Sequence, residues 1–426
     1  MIEKIYQIFI ESTGICTDTR EIREGNLFFA LKGPNFNANK FAAKAIDSGA
    51  ISAIVDDKDF EIPGKTIFVS DGLEALQELA RFHRKKLNIP IIGITGSNGK
   101  TTTKELMHAV LSTSYQSFAT KGNLNNHIGV PLSLLSITQN HELAIIEMGA
   151  NHIGEIAFLS SICMPTHGVI TNIGKAHTGL FGGFEGVIRA KSELYDFLIK
   201  NDGTVFINQN QDILMNMSKR IKKTFFYPNE GSFCPCEFYG ADPYVKIKTG
   251  AGTMVQTRMV GSYNFENIAT ALCIGKFFQV PEEKANDAVS TYIPSNNRSQ
   301  IIKQGSNTIV LDAYNANPSS MEKALENLAQ MKSKNKVAIL GDMFELGEDT
   351  ESEHAQIGKK LKELNFQFAI FCGDSMKFAH EAFGHGVYMK TKDFLIEYLN
   401  ENKFMDSIIL IKASRSMALE DVVEYI

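Results

Sequence analysis

The sequence predicts an α/β protein of three domains. These are a small α/β N-terminal domain over residues 1–88, a central parallel sheet with a small antiparallel excursion over 89–298, and a C-terminal Rossmann-like α/β domain over 299–426. Three observations carry this reading. At 426 residues the chain is too long for one hydrophobic core. From residue 91 onward, short apolar runs alternate with helical stretches, the pattern of parallel strands buried on both faces. A second series of such runs starts near residue 300.

Taken in order, Asn26–Leu31 and Ala53–Val55 read as strands, and residues 72–87 read as an amphipathic helix. His83 falls on the apolar side of that helix and is expected to be packed rather than catalytic, and Pro90 closes the segment. The run Ile91–Thr95 is a short buried strand, followed by a Gly-rich turn and a helix from Lys100 to about Leu111. Further strands are expected at Leu143–Ile146, Gly168–Thr171 and Gly203–Ile207. Residues 224–260 are rich in aromatic and β-branched side chains without helical period, and read as the antiparallel excursion. A helix follows at about 264–279. In the last third, Thr308–Leu311, Val337–Leu340, Phe368–Phe371 and Ile408–Ile411 read as strands ending in Asp312, Asp342, Asp374 and Ser414-Arg415. Ligands in open parallel sheets bind beyond the carboxyl ends of the strands, so these tips are expected to line a cleft, with Asp374 assigned to helix capping instead.

The composition narrows the function. Apolar residues are 44% and charged residues 21%, ordinary for a globular protein, and the net charge of −5 gives no drive toward nucleic acid. No apolar run approaches the ~20 residues that cross a bilayer, and the N-terminus lacks a signal-peptide pattern, so a cytoplasmic protein without membrane insertion is expected. The six cysteines lack zinc or redox spacing and read as reduced thiols.

Gly93-Ile-Thr-Gly96-Ser97-Asn98-Gly99-Lys100-Thr101 follows a strand and opens a helix, the context a phosphate loop requires. Backbone N–H groups in such a turn and the positive end of the helix attract phosphate. Lys100 is suited to the β/γ-phosphates and Thr101 to Mg²⁺. The strict motif wants Gly at position 94, where this chain has Ile94 flanked by Gly93 and Gly96. The central domain is therefore read as a phosphate-loop mononucleotide-binding fold, with Gly96, Ser97, Asn98, Gly99, Lys100, Thr101 and Thr102 against ATP. Glu147 ends an apolar strand on the same sheet as the loop, where a carboxylate completes a Mg²⁺ shell, caps a helix or makes a salt bridge. The polar, Gly-bounded segment 122–131 carries Asn125 and Asn126 and suits either a substrate-facing loop or an ordinary turn. Taken alone, His177 reads as a surface loop residue and Lys191 as a solvated helix lysine.

The ordered segments GSNGKTTTKE, GNLNNHIGVP, IEMGANHIGEI, TNIGKAHTGLFGG, AKSELY, GSYNFENIATAL, LDAYNANPSSM, LGDMFELG and KASRSMALE resemble the Mur ligase family over essentially the whole chain. That family shares its fold and mechanism with folylpolyglutamate synthase. The DAYNANP, MGANHIGEI and LGDMFELG segments are most similar to the members that join D-alanyl-D-alanine to UDP-N-acetylmuramoyl-tripeptide, a step of peptidoglycan precursor synthesis tied to cell shape and division.

The resemblance implies catalytic roles for Lys100, His177 and Lys191, and metal ligation by Thr101, Glu147, His177 and Lys191. Two Mg²⁺ ions are implied, with a carbamate formed from CO₂ on Lys191 serving the second. Asn264 and Asn267 would approach adenine, while Arg298 and Asp312 would contact phosphates and ribose, with Tyr314, Asn315 and Asn317 lining the same cleft. Ser414 and Arg415 would lie near the amino substrate, and Thr19 and Arg20, in Cys16-Thr-Asp-Thr-Arg20, near the UDP-sugar. Two positions depart from the family pattern. Tyr263 stands where His is frequent, and Gly33–Phe41 replaces an Asp-Gly-His-type run.

The implied reaction phosphorylates the tripeptide carboxylate with ATP, and the amine of D-alanyl-D-alanine then attacks the acyl phosphate, in a protein expected to be a monomer. A sister ligase adding a single amino acid, a folylpolyglutamate synthase, a phosphotransferase and a non-catalytic nucleotide switch are the competing readings. The N-terminal domain argues against the synthase, and the joint presence of Glu147, His177 and Lys191 argues against the switch.

Overall fold

Each apolar run becomes a strand because its side chains can be covered on both faces only inside a sheet flanked by helices. A computed structural model describes residues 1–174, 178–294 and 297–426. The N-terminal sheet has four parallel strands in the order Ile15–Cys16, Leu27–Phe29, Ser52–Val55, Thr66–Phe68. The helix Gly72–Lys86, capped by the Asp71 carboxylate on Glu74 N–H, docks this sheet on the central one. Its buried Arg84 donates to the carbonyls of Cys163 and Met164, Gln77 Nε2 donates to His127 O at 2.9 Å, and His83 Nε2 lies 2.9 Å from Ile137 O. Burial lowers the His83 pKa, so the imidazole is a packed neutral group, as its helical position predicts.

The central sheet runs Thr224–Tyr227, Thr204–Asn208, His167–Ile170, Ile91–Thr95, Leu143–Glu147, Ser117–Ala119, all parallel. The antiparallel excursion is smaller than the sequence predicts. It comprises Cys236–Ala241, Tyr244–Thr249 and Met254–Val260, while Thr224–Tyr227 is the parallel edge strand of the main sheet.

The C-terminal sheet runs Gln300–Gln304, Asn307–Asp312, Ser407–Lys412, Asn335–Gly341, Ala369–Cys372, Val387–Met389. Its first pair is antiparallel and the rest are parallel. Two mostly parallel sheets thus present the carboxyl ends of their central strands, where open α/β sheets bind ligands. All six cysteines are free and buried.

The half-buried His167 is expected to make the fold acid-sensitive. His167 opens its strand among the rings of Phe277 and Phe278, with centroids 5.2 and 5.3 Å away, and burial pushes its pKa down to about 4. The unfolded chain takes up this proton near pH 6.5 and the folded chain only near 4, so stability falls as pH drops between those values. The expected loss is about 3 kcal/mol, and His167→Phe should flatten that part of a pH series of urea midpoints. An unchanged acid slope in the variant would reject this assignment.

Candidate functional site

The phosphate loop is built where the strand Ile91–Thr95 runs into the helix Lys100–Leu111. The departure at Ile94 has a structural reason. Ile94 is fully buried in the strand, and the tight turn is made at Gly96, with φ +145°, where a Cβ would stand 2.0 Å from Thr171 Oγ1. Gly99, with φ +79°, precedes the helix, which starts without a side-chain cap on its first turn. The loop is braced from below, since Ser97 N–H donates to Asn172 O and Asn98 N–H to Asn172 Oδ1, both at 3.0 Å. Lys100 Nζ lies across the turn, donating to Gly96 O at 2.7 Å, and burial lowers its pKa.

Glu147 faces this loop, 1% exposed. Its Oε1 accepts from Thr101 Oγ1 at 3.2 Å and from Asn125 Nδ2 at 2.9 Å. Its Oε2 is buried without a hydrogen-bond partner, 3.8 Å from the ammonium of Lys104. An orphaned carboxylate oxygen beside a phosphate-loop hydroxyl is a hard-oxygen donor set of the kind Mg²⁺ takes, completed by phosphate oxygens and water rather than by a protein cage. No cluster of three or more acidic, His or Cys side chains able to hold a metal occurs among the described residues. Lys191, on the helix Phe184–Lys200, is 2% exposed and lies 5.3 Å from the Phe181 ring centre. Burial, reinforced by the Lys100 charge, lowers its pKa to about 7. The solvated-lysine reading is therefore overturned, because the helix face that carries Lys191 is covered. His177 lies outside the described residues.

These groups share a cavity of about 490 Å³ whose walls come from the central and C-terminal sheets. Arg298 and Tyr314 meet there, the guanidinium carbon 3.7 Å from the ring centre. Asp312 accepts from Lys412 Nζ at 2.5 Å and from Ser299 N–H at 3.2 Å. Asn264, Asn267, Asn315, Asn317, Asn126 and Thr102 also line the cavity. Asn267 accepts from Thr103 Oγ1 and donates to Asn264 Oδ1, fixing both amides.

Other predicted residues are not gathered into the cavity. Ser414 is buried and accepts from Phe344 N–H at 3.0 Å, while Arg415 is exposed and pairs with Glu420. Thr19 and Arg20 lie by the N-terminal sheet, Arg20 exposed and paired with Asp18 at 2.5 Å. Of the four strand tips, Asp312 lines the cleft but Asp342 and Asp374 do not. Asp342 accepts from Ser375 and Met376 N–H and so caps the helix Met376–Phe383, whereas Asp374 pairs with Lys390 on the surface. The sequence reading missed Lys104, held by Thr120 O at 2.7 Å, and Lys412. The signal for Lys412 was a cation at the end of an apolar strand.

The fold and site define a phosphate-loop enzyme that binds a nucleotide against a second α/β unit. The Mur ligase middle domain matches residues 94–275, and the Mur ligase, glutamate ligase domain matches 297–415. The UDP-N-acetylmuramoyl-tripeptide--D-alanyl-D-alanine ligase of Bacillus subtilis (strain 168) is 35% identical over 425 residues, covering 96% of this chain and 92% of that protein. A crystal structure of MurF from Acinetobacter baumannii superposes with a TM-score of 0.88 at 30% identity, covering 100% of this chain and 98% of that one. The MurF ligase from Thermotoga maritima in complex with ADP superposes at 0.85 with 25% identity, covering 98% and 97%. The chain belongs to the Mur ligase family.

Proposed function

We propose that this protein is an ATP-dependent, ADP-forming ligase that adds D-alanyl-D-alanine to UDP-N-acetylmuramoyl-tripeptide, a step of peptidoglycan precursor synthesis. The observation that carries this reading is the phosphate loop facing Glu147 and Lys191 across a cavity closed by the C-terminal unit. Full-length similarity to the Bacillus subtilis ligase supports the choice of substrates.

The chemistry follows from the cavity. A carboxylate has no good leaving group, so ATP converts it to an acyl phosphate, which the dipeptide amine attacks through a tetrahedral intermediate. Lys100 and the first-turn N–H groups bind the phosphates and offset charge on the transferring phosphoryl group. Thr101 and Glu147 would hold one Mg²⁺, and Lys191, as a carbamate, would serve a second together with His177. Bound there, Mg²⁺ supplies positive charge against phosphate oxygens. Arg298, stacked on Tyr314, would contact phosphate, while Asn264 and Asn267 would approach the base and Asp312 the ribose. Holding three reactants in register is worth up to ~7–11 kcal/mol. Water must be excluded, because it hydrolyses acyl phosphates.

In this reading residues 1–88 hold the UDP-sugar, with Thr19 and Arg20 contributing. Residues 89–298 hold ATP, and 299–426 the dipeptide, with Ser414 and Arg415 near it. The protein works as a cytoplasmic monomer. No helix among the described residues is long and apolar enough to cross a membrane. In a phosphate-release assay, ATP should be consumed only when both the tripeptide nucleotide and D-alanyl-D-alanine are present. Mass spectrometry of the product from mixed amino acids and dipeptides should show the pentapeptide. Equal phosphate release with ATP alone, or a product extended by one amino acid, would overturn the assignment.

A further inference from the structure

Asn98 occupies a phosphate-loop position whose side chain is free to face solvent. Instead it crosses to the C-terminal unit. Asn98 Nδ2 donates to Ser319 Oγ at 2.9 Å, and Asn98 Oδ1 accepts from Asn317 Nδ2 at 2.8 Å. The direction of each bond is set by its neighbours. Asn317 Oδ1 already accepts from Ser320 N–H at 2.9 Å and from Ser319 Oγ at 3.0 Å, so its NH₂ group must face Asn98. Ser319 spends its one proton on Asn317, so it can only accept from Asn98.

The other side of Asn98 is equally tied. Its N–H donates to Asn172 Oδ1 at 3.0 Å, and its carbonyl accepts from Thr171 Oγ1 at 2.6 Å and Asn172 Nδ2 at 2.9 Å. Gly174 leaves room for the approach, since a Cβ there would stand 3.3 Å from Ser319 Oγ. Asn317 is also the N-cap of the helix Pro318–Gln330, which brings Ser320 and Lys323 to the cavity wall.

We infer that Asn98, Asn317 and Ser319 are positioning residues that lock the C-terminal unit to the phosphate loop and set the distance across which the phosphorylated carboxylate meets the amine. The inference rests on the ligase reading of the same cavity. A main-chain shift in the loop moves Asn98, and the satisfied amide–hydroxyl network carries that shift to the helix beyond it. The geometry separates nucleotide binding from the later steps. Asn317 and Ser319 belong to the C-terminal unit and not to the loop that would take the phosphates, so their loss should act on the cavity's width more than on nucleotide binding.

The test uses two variants of the full chain. Asn317→Asp keeps a side-chain oxygen to cap the helix but replaces the NH₂ donor to Asn98 with a second acceptor. Ser319→Ala removes the acceptor of Asn98 Nδ2 together with the donor to Asn317 Oδ1, leaving the Ser320 N–H cap and the Asn98–Asn317 bond in place. Affinity for ATP, measured by calorimetry without the other substrates, should stay within about twofold of wild type in both. The kcat should fall about tenfold or more in Asn317→Asp and less in Ser319→Ala. The double variant should lose less than the product of the two, because both act on one network. Small-angle scattering of the ATP complex should show a larger radius of gyration for Asn317→Asp than for wild type. A wild-type kcat in Asn317→Asp, or a loss confined to ATP affinity, overturns the inference. If the wild type itself makes no ligase product, it is the functional reading that fails, and the scattering comparison still decides the lock.

Discussion

A Glu147→Gln protein is expected to keep its fold and bind nucleotide, yet to turn over on the order of 10²–10³-fold more slowly. The reason lies in the two halves of the carboxylate. Oε1 is satisfied by Thr101 and Asn125, and a glutamine oxygen can take over both contacts. Oε2 is the buried oxygen without a hydrogen-bond partner, and the variant puts an NH₂ group there, 3.8 Å from the Lys104 ammonium. In the proposed role, a charge that would hold Mg²⁺ is replaced by a donor, and Lys104 loses the nearer of its two carboxylate neighbours. The variant should need far more Mg²⁺ for half-maximal rate. Its melting curve should show a loss of about 1–3 kcal/mol from the weakened pairing of the buried Lys104, which keeps Glu105 Oε1 at 4.0 Å. Undiminished kcat at ordinary Mg²⁺ would remove Glu147 from the metal site.

The phosphate loop was legible because local chemistry determines it. Strand, glycines, lysine and helix follow within about one turn of chain, and the observed bounds Ile91–Thr95 and Lys100–Leu111 match the expected ones. Lys104 was not legible, and the strand-end cation was a signal for Lys412 too weak to use, because only tertiary pairing makes the two buried. Lys412 meets Asp312 since their strands pair in register at that residue, 100 positions apart. A carboxylate at a strand end is ambiguous for the same reason. Asp312 and Asp342 end successive apolar runs, yet one faces the cavity and the other turns to cap the helix Met376–Phe383, which follows the adjacent strand Ala369–Cys372. The edge strand Thr224–Tyr227 was merged with the excursion because its aromatic, β-branched composition suits either partner. The choice of the parallel sheet is made by packing against Thr204–Asn208. Family resemblance, rather than residue pattern, singled out Lys191, and the structure supplies the burial that spacing could not reveal.

Lys191→Ala is expected to lose most activity, on the order of 10²-fold or more in kcat, with only a modest change in ATP affinity. A lysine at 2% exposure is costly to keep charged, and the Lys100 ammonium adds repulsion, so the amine is held near a pKa of about 7. A substantial share of it is then free base at neutral pH, the form that attacks CO₂. In the proposed step, amine plus CO₂ would give a carbamate anion and one proton, placing an oxygen ligand on the cavity that Glu147 also lines. An ordinary ammonium at this place would instead repel Mg²⁺. Incubation with ¹³C-bicarbonate should therefore give a carbamate carbonyl signal in the wild type that is missing in Lys191→Ala. Lys191→Met, which keeps the apolar stem against Phe181, separates the chemistry from packing, because it should be equally inactive while melting close to wild type. Wild-type turnover by Lys191→Met would show that the buried amine serves the fold alone.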